Sequence, residues 1–213
     1  MCYDVASQLR SQIKYARSKG ESEEEIRKLE LQLQDFEWEP QYRVDGFSKT
    51  KPKLIVVTND QPDRFQCFEW KYLTDRIVER GLNTLNATKE GMFGFKSNYH
   101  EGALQRHCIV YVDGIFEPHG YGPKKEVKRY GRTVIDYKKK AYYYIENSDD
   151  LPLPLAGLWN SYVDPETGEV HDTSTIITIP ASQLLKKIHN VMERMHAILP
   201  KELHKDWLEC VTD

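Results

Sequence analysis

Apolar residues along the chain follow two kinds of spacing. Near the N-terminus Val5, Leu9, Ile13 and Ala16 recur at helical intervals up to Gly20, a residue that readily ends a helix. Ser22 followed by Glu25 reads as a capping box, and Ile26, Leu29, Leu33 and Phe36 form a second apolar stripe that Pro40 ends. This spacing predicts a helical pair over about residues 4–39, laid as an arm or insertion on the body of the protein. Beyond Pro40 the pattern changes to short β-branched and aromatic runs, which predict strands at 53–58, 65–70, 108–113, 133–136, 141–145, 155–162 and 175–179. Turn-forming stretches rich in Asn, Asp, Gly and Pro lie between them. Helical pieces at about 182–192 and 201–210, separated by Pro200, close the chain. No repeat or low-complexity linker interrupts it. The simplest architecture is one α+β domain over residues 1–213, with an antiparallel barrel-like sheet within 41–210 and flanking helices.

Composition narrows the class. With 39% hydrophobic and 30% charged residues in 213 positions, the chain can bury a core without disulfides and is neither disordered nor lipid-embedded. Its longest apolar runs, such as residues 54–57, are strand-sized, far short of the ~20 residues that span a bilayer. The first residues show no apolar signal segment, so the expected location is cytoplasmic, with no membrane partner. Cys2, Cys67, Cys108 and Cys210 include no C-x-x-C pair, which argues against a zinc ribbon or a redox pair. No metal-ligand constellation or glycine-rich phosphate loop is present either, and no cofactor is expected.

The net charge of −3 does not announce a nucleic-acid binder, but the charge is unevenly placed. Residues 21–39 carry eight acids against Arg27 and Lys28. Residues 124–140 carry eight bases against Glu126 and Asp136. Either run can be a solvated face. The basic one, interleaved with Tyr130 and Tyr137 and followed by Tyr142, Tyr143 and Tyr144, could also hold phosphates and stack bases.

Four residues stand out by type and setting. Cys2 opens Met-Cys-Tyr; Asn86 begins Asn-Ala-Thr-Lys-Glu90; Glu117 ends Asp113-Gly-Ile-Phe-Glu; and His189 precedes Arg194-Met195. Singly each has a bland reading: Asn86 as a helix cap, Glu117 as a solvated strand end, His189 as a satisfied helix histidine. Their order changes the weighing. The set resembles the SOS response-associated peptidase (SRAP) family, whose members sense abasic sites in single-stranded DNA. That family has Met-Cys at the start, then Asn-Ala-Arg-Ser-Glu, then Asp-Gly-Phe-Tyr-Glu at a strand end, then a His ahead of Arg-Met-Pro. Residues 155–159, 175–178 and 199–208 also resemble family sequence.

The chemistry of Cys2 agrees. Removal of Met1 leaves a 1,2-aminothiol, whose α-amine at pKa of about 7.7 to 8.0 is far more often neutral at pH 7 than a lysine at about 10.4. Such an amine can form an imine with the open-ring aldehyde of an abasic site, and the thiol can then close a five-membered thiazolidine. The resemblance implies that Glu117 shuttles protons, that His189 acts on the sugar hydroxyl during ring opening, and that Asn86 orients Cys2 and the sugar. It further implies binding of single-stranded DNA, with Trp70, Lys89 and Arg194 as candidate contacts, and a monomer is the default expectation because covalent capture of one lesion needs only one site.

This chain departs from the family at several positions. Thr88 replaces the motif arginine, leaving Lys89 as its substitute. Trp70-Lys-Tyr-Leu73 shortens the Trp- and Pro-containing wedge, Pro118 follows the acidic residue in place of Trp, and His196 stands where Pro follows Arg-Met. His189 is the expected site histidine, with His196 as its backup. Two other readings stay open: a thiol peptidase that processes itself or other proteins through Cys2 and His189, and a diverged binding module without covalent chemistry.

Overall fold

The computed structural model describes residues 4–7, 13, 16–17, 20–34, 41–48, 52–94, 96–129, 132–149 and 151–210. Cys2, Phe36 and Pro40 lie outside them. In chain order the elements are β1 (Asp4–Ser7), α1 (Glu23–Gln34), β2 (Gln41–Asp45), β3 (Lys53–Thr58), β4 (Gln61–Trp70), α2 (Asp75–Glu79), β5 (Asn86–Thr88), α3 (Lys89–Met92) and α4 (His100–Gln105). They continue with β6 (His107–Val112), β7 (Gly114–Arg129), β8 (Arg132–Ile145), β9 (Leu153–Val163), β10 (Val170–Pro180), α5 (Gln183–Ile188), β11 (Arg194–His196), a 3-10 turn (Lys201–Leu203) and α6 (His204–Glu209).

Strands β10, β4, β3, β6 and β9 pair in that order, and β9 pairs back onto β10, so the five close into a barrel. The expected α+β barrel is therefore present, with one refinement: β4 runs parallel to β10, through Glu69 opposite Thr173 and Trp70 opposite Ser174. The three-residue strands β5 and β11 extend the C-terminal half of β10, β5 parallel to it and β11 antiparallel. A second sheet, β2-β1-β7-β8, lies beside the barrel.

The apolar runs explain the layering. Side chains alternate across a strand, so a run such as Leu54-Ile-Val-Val57 must be covered on both faces. Leu54 and Val56 join the central cluster with Phe68, Trp70, Val110, Leu155 and Ile176, to which the second sheet adds Val5, Val44 and Ile115. Ile55 faces the other way and is covered by Ala16 and Ile26; Val57, Ile109 and Tyr111 are covered by Leu199, Trp207 and Leu208. At Gly157 a Cβ would meet Thr175 O at 2.8 Å and Cys108 Sγ at 2.9 Å, so only glycine allows β9 to pack this closely between its neighbours.

The capping box forms as the sequence suggests. Ser22 N–H and Oγ–H both donate to Glu25 Oε2, at 2.8 and 2.7 Å, and Glu25 N–H donates back to Ser22 Oγ at 3.3 Å. The helical expectation fails at Asp4–Ser7, which forms β1 between β2 and β7. Val5 is fully buried there. Four residues cover barely one helical turn, too few for the Val5–Leu9 spacing to outweigh pairing on two strand edges. The pieces expected at 133–136 and 141–145 are parts of one long strand, β8. Among the described residues no helix is long and apolar enough to cross a membrane.

Candidate active site

Glu117 sits near the start of β7, a strand paired on both sides. Phe116 is opposite Asp4 of β1, and Glu117 itself is opposite Tyr143 of β8. The bland expectation for a strand-end glutamate is solvation, yet this side chain is completely buried. Burying a carboxylate is unfavourable by several kcal/mol unless opposite charge or hydrogen bonds offset it. Two equally buried imidazoles face it. His189 Nδ1 lies 3.0 Å from Glu117 Oε2, and His196 Nδ1 lies 3.9 Å from Glu117 Oε1. The first is a hydrogen-bond distance; the second is a close charge contact only.

Local structure puts His189 there. It is the residue that ends α5, a helix begun by Ser182, whose Oγ accepts from Leu185 N–H. Both of its chain neighbours are fastened to β7. Asn190 forms a double amide clamp on Gly120, donating Nδ2–H to its carbonyl at 2.9 Å and accepting its N–H at 2.8 Å. His119 Nδ1 contacts the Ile188 carbonyl at 2.8 Å. Glu193, at a φ of 48°, then reverses the chain, and the Arg194 carbonyl returns to 3.1 Å from His189 Nδ1. With two acceptors, Glu117 Oε2 and Arg194 O, at the same nitrogen, the proton belongs on Nδ1, which makes Nε2 the basic atom of the neutral ring.

The remaining candidates fall around this cluster. Asn86 lies on β5 opposite Ile176, half-buried, with its carbonyl accepting from Tyr99 Oη at 3.2 Å. Two residues further along the same ladders, Thr88 of β5 and His196 of β11 both pair with Thr178 of β10, from opposite sides. Arg194 ties these edges together. Its guanidinium donates to both oxygens of Glu90, at 3.1 and 3.0 Å, and to the Thr178 carbonyl at 2.5 Å. A backbone hydrogen bond, and after it the pairing with Arg194, holds the exposed Glu90 carboxyl below its usual range. The structure thus brings the Asn86–Glu90 and Arg194–His196 motifs together. Lys89, exposed at the start of α3, is beside them.

Trp70 does not belong to this surface. It is 1% exposed, at the end of β4, inside the central core. Its indole N–H donates to the Leu85 carbonyl at 3.0 Å, as a buried ring nitrogen must find an acceptor. The expectation that it touches DNA is corrected accordingly. Cys67 and Cys108 fit their strand settings: burial pushes the Cys67 thiol up to about 11 and the fully buried Cys108 thiol higher still. Cys210 is exposed. Cys2 lies outside the described residues; two peptide units separate it from Asp4, the strand partner of Phe116. Residue spacing alone did not single out His119 and Asn190, the clamps that set the Glu117–His189 distance. Their only signal was position, two after Glu117 and one after His189.

Among the described residues no group of three or more His, Cys, Asp or Glu is placed to hold a metal ion. What the cluster offers is proton transfer: a buried carboxyl with an imidazole hydrogen-bonded to one oxygen and a second imidazole near the other.

Comparison with known proteins points in one direction. The profile of the family described as SOS response associated peptidase (SRAP) matches residues 2–213. The chain is 26% identical over 178 residues to the abasic site processing protein YobE of Bacillus subtilis, a match spanning 83% of this chain and 71% of that one. It is 32% identical over 135 residues to the abasic site processing protein HMCES of Gallus gallus, spanning 60% of this chain but only 38% of that longer one. Among solved structures, a protein from Bacteroides thetaiotaomicron superposes with a TM-score of 0.74 at 27% identity, covering 100% of this chain and 83% of its own. One from Bordetella bronchiseptica shares the fold at a TM-score of 0.65 and 21% identity, covering 99% and 89%.

Proposed function

The chain belongs to the SOS response-associated peptidase family, and from that premise we propose that it captures abasic sites in single-stranded DNA as a covalent thiazolidine on Cys2. The observation that carries this reading is the buried Glu117, held between His189 and His196 on the strand that pairs with β1. β1 starts two residues after Cys2, with Asp4 opposite Phe116. The names of the two curated relatives point to the same lesion.

The steps balance without an oxidant or a cofactor. Nε2 of His189 takes the proton from the C1′ hydroxyl of the closed sugar and returns it to the ring oxygen as the ring opens to the aldehyde. The free amine of Cys2, exposed by removal of Met1, adds to that aldehyde to give a carbinolamine. Glu117, as the acid, delivers a proton to the departing hydroxyl and takes one back from the nitrogen, so that one water leaves, a neutral imine remains and the carboxyl is restored. The Cys2 thiol then adds across the C=N bond, sulfur to carbon and its proton to nitrogen, closing the five-membered ring. Burial keeps the carboxyl and both imidazoles out of water, so their protons stay with the reacting groups.

Asn86 orients the amine and the sugar. Lys89 supplies the phosphate contact that an arginine at Thr88 would have made, and Arg194, held on Glu90 and Thr178, stiffens that edge. One site serves one lesion, so a monomer suffices.

The test is denaturing-gel cross-linking of the full chain, its loss of Met1 verified by mass, to a single-stranded oligonucleotide with one abasic site. A shifted band is expected from the wild type and none from Cys2→Ala. A band of equal intensity from Cys2→Ala, or none from the wild type, overturns the proposal.

A further inference from the structure

β7 does not stop at the site. Its ladder with β8 runs on from Glu117 opposite Tyr143, through Tyr121 opposite Lys139 and Lys124 opposite Tyr137, to Arg129 opposite Arg132. The root of this hairpin is clamped by Asn190 and His119, as described above. Beyond the root most of the described side chains are exposed, and they reverse the sign of the chain as a whole. Lys124, Lys125, Lys128, Lys138 and Lys139 point to solvent, against Glu126. Lys140 is engaged by Asp136 at 3.4 Å. A chain of net charge −3 that gathers lysines on one projecting ribbon, while α1 opens with Glu23, Glu24 and Glu25, presents a local surface for a polyanion.

Register links that surface to the site. Residues directly opposite in an antiparallel pair project from the same face, and that face repeats every second residue. The face that carries Glu117 therefore carries Tyr143, His119, Ala141, Tyr121 and Lys139 in turn. The loop after α5 covers Glu117 and His119. The ladder emerges from beneath it at Tyr121, roughly 14 Å further along at about 3.4 Å per residue. Tyr121 is 46% exposed and its partner Lys139 is exposed too, so an aromatic and a cationic side chain stand together where the ribbon leaves the site. Aromatic rings beside lysines are what a single strand uses, bases on the rings and phosphates on the cations.

We propose that the β7–β8 hairpin is a second contact surface, which holds the phosphate backbone of the single strand flanking the lesion. The choice of DNA as the polyanion, rather than an acidic protein, rests on the function proposed above and on the continuity of β7 with Glu117.

The experiment measures binding of the full chain to a labelled, undamaged single-stranded oligonucleotide across a potassium chloride series. Wild type is compared with a Lys124→Gln, Lys125→Gln, Lys128→Gln triple variant and a Lys138→Gln, Lys139→Gln double variant. Only exposed residues change, and thermal melts confirm folding. Each lost phosphate contact lowers the log–log salt slope by about 0.7, so the triple variant is expected to lose up to about 2 units of slope and about tenfold or more in affinity at low salt. Trapping of an abasic trinucleotide, too short to reach the hairpin, is expected to proceed at the wild-type rate in both variants. Unchanged slope and affinity overturn the proposal even if trapping is intact, and so does loss of polyglutamate binding with DNA binding retained. Conversely, a reduced slope in protein that never cross-links leaves the hairpin surface standing and removes the trapping reading.

Discussion

The molecule holds two histidine–carboxylate contacts of equal length in different settings. His189 Nδ1 lies 3.0 Å from Glu117 and His171 Nδ1 lies 3.0 Å from Glu69. The second pair joins β10 to β4 at the parallel junction that closes the barrel. Its side chains are 8% and 12% exposed, Lys71 Nζ is 3.8 Å from the other Glu69 oxygen, and Glu169 lies 3.7 Å from the other His171 nitrogen. Tyr162 stacks on the imidazole. Charge there is shared among four groups at the rim, and the contact fastens two strands. The first pair is wholly buried, lies outside the barrel ring, and has a second imidazole in place of a lysine. Equal distance therefore does not mean equal chemistry. What separates a fastening from a proton-transfer site is which groups surround the carboxyl and whether water reaches it.

The largest expected effect tests that division directly. Glu117→Gln should slow trapping of abasic DNA by about 10²- to 10⁴-fold, the usual loss for a general acid, whereas Glu69→Gln should leave the rate within about twofold. Comparable losses in both variants, by quenched gel time courses, would break the distinction. Next come the two site histidines. His189→Ala is expected to cost about 10- to 100-fold in trapping of closed-ring substrate and His196→Ala less than about tenfold, because only His189 is within hydrogen-bonding distance of the carboxyl. The reverse ranking would exchange their roles.

Stability should divide the other way. His171→Phe is expected to destabilise the fold by about 1–3 kcal/mol in urea titrations while leaving trapping unaffected, since it removes a charge-assisted hydrogen bond across the barrel closure. The smallest difference concerns the thiols. With its pKa pushed up to about 11, Cys67 holds on the order of several-hundred-fold less thiolate at pH 7.5 than an ordinary cysteine, and Cys108 less again. Iodoacetamide labelling of native protein read by peptide mass should find both unmodified and Cys210 modified; labelling at Cys67 equal to that at Cys210 would show that β4 leaves its thiol accessible.

Much of the fold was legible because it rests on burial. β3, β6, β9 and β10 are continuous apolar or β-branched runs, and α1 announces itself through Ser22 and Glu25. β1 was not legible, since its four residues match a helical stripe and a strand equally well. β7 was hidden, and β8 legible only in two pieces, for a different reason: their lysines and tyrosines break the apolar alternation that marks a half-buried strand. Trp70 shows the opposite error. Motif position suggested a DNA-facing ring, and the core claimed it because its indole fits beneath Leu85 and its N–H finds a carbonyl there.

Residue types and their order determined, without any coordinates, the family resemblance, the α+β barrel and the candidate set of Cys2, Asn86, Glu117 and His189. Only the tertiary structure decided that Glu117 is buried, that both His189 and His196 face it, and that Arg194 spends its guanidinium on Glu90 and Thr178. Apart from Arg194 on Thr178, these contacts join residues about 70 to 100 positions apart, and they are set by strand pairing and by side-chain clamps such as Asn190 on Gly120. Local sequence encodes short-range conformation and burial preference. Which distant side chains meet depends on how the strands register once packed, and no single stretch of sequence carries that information.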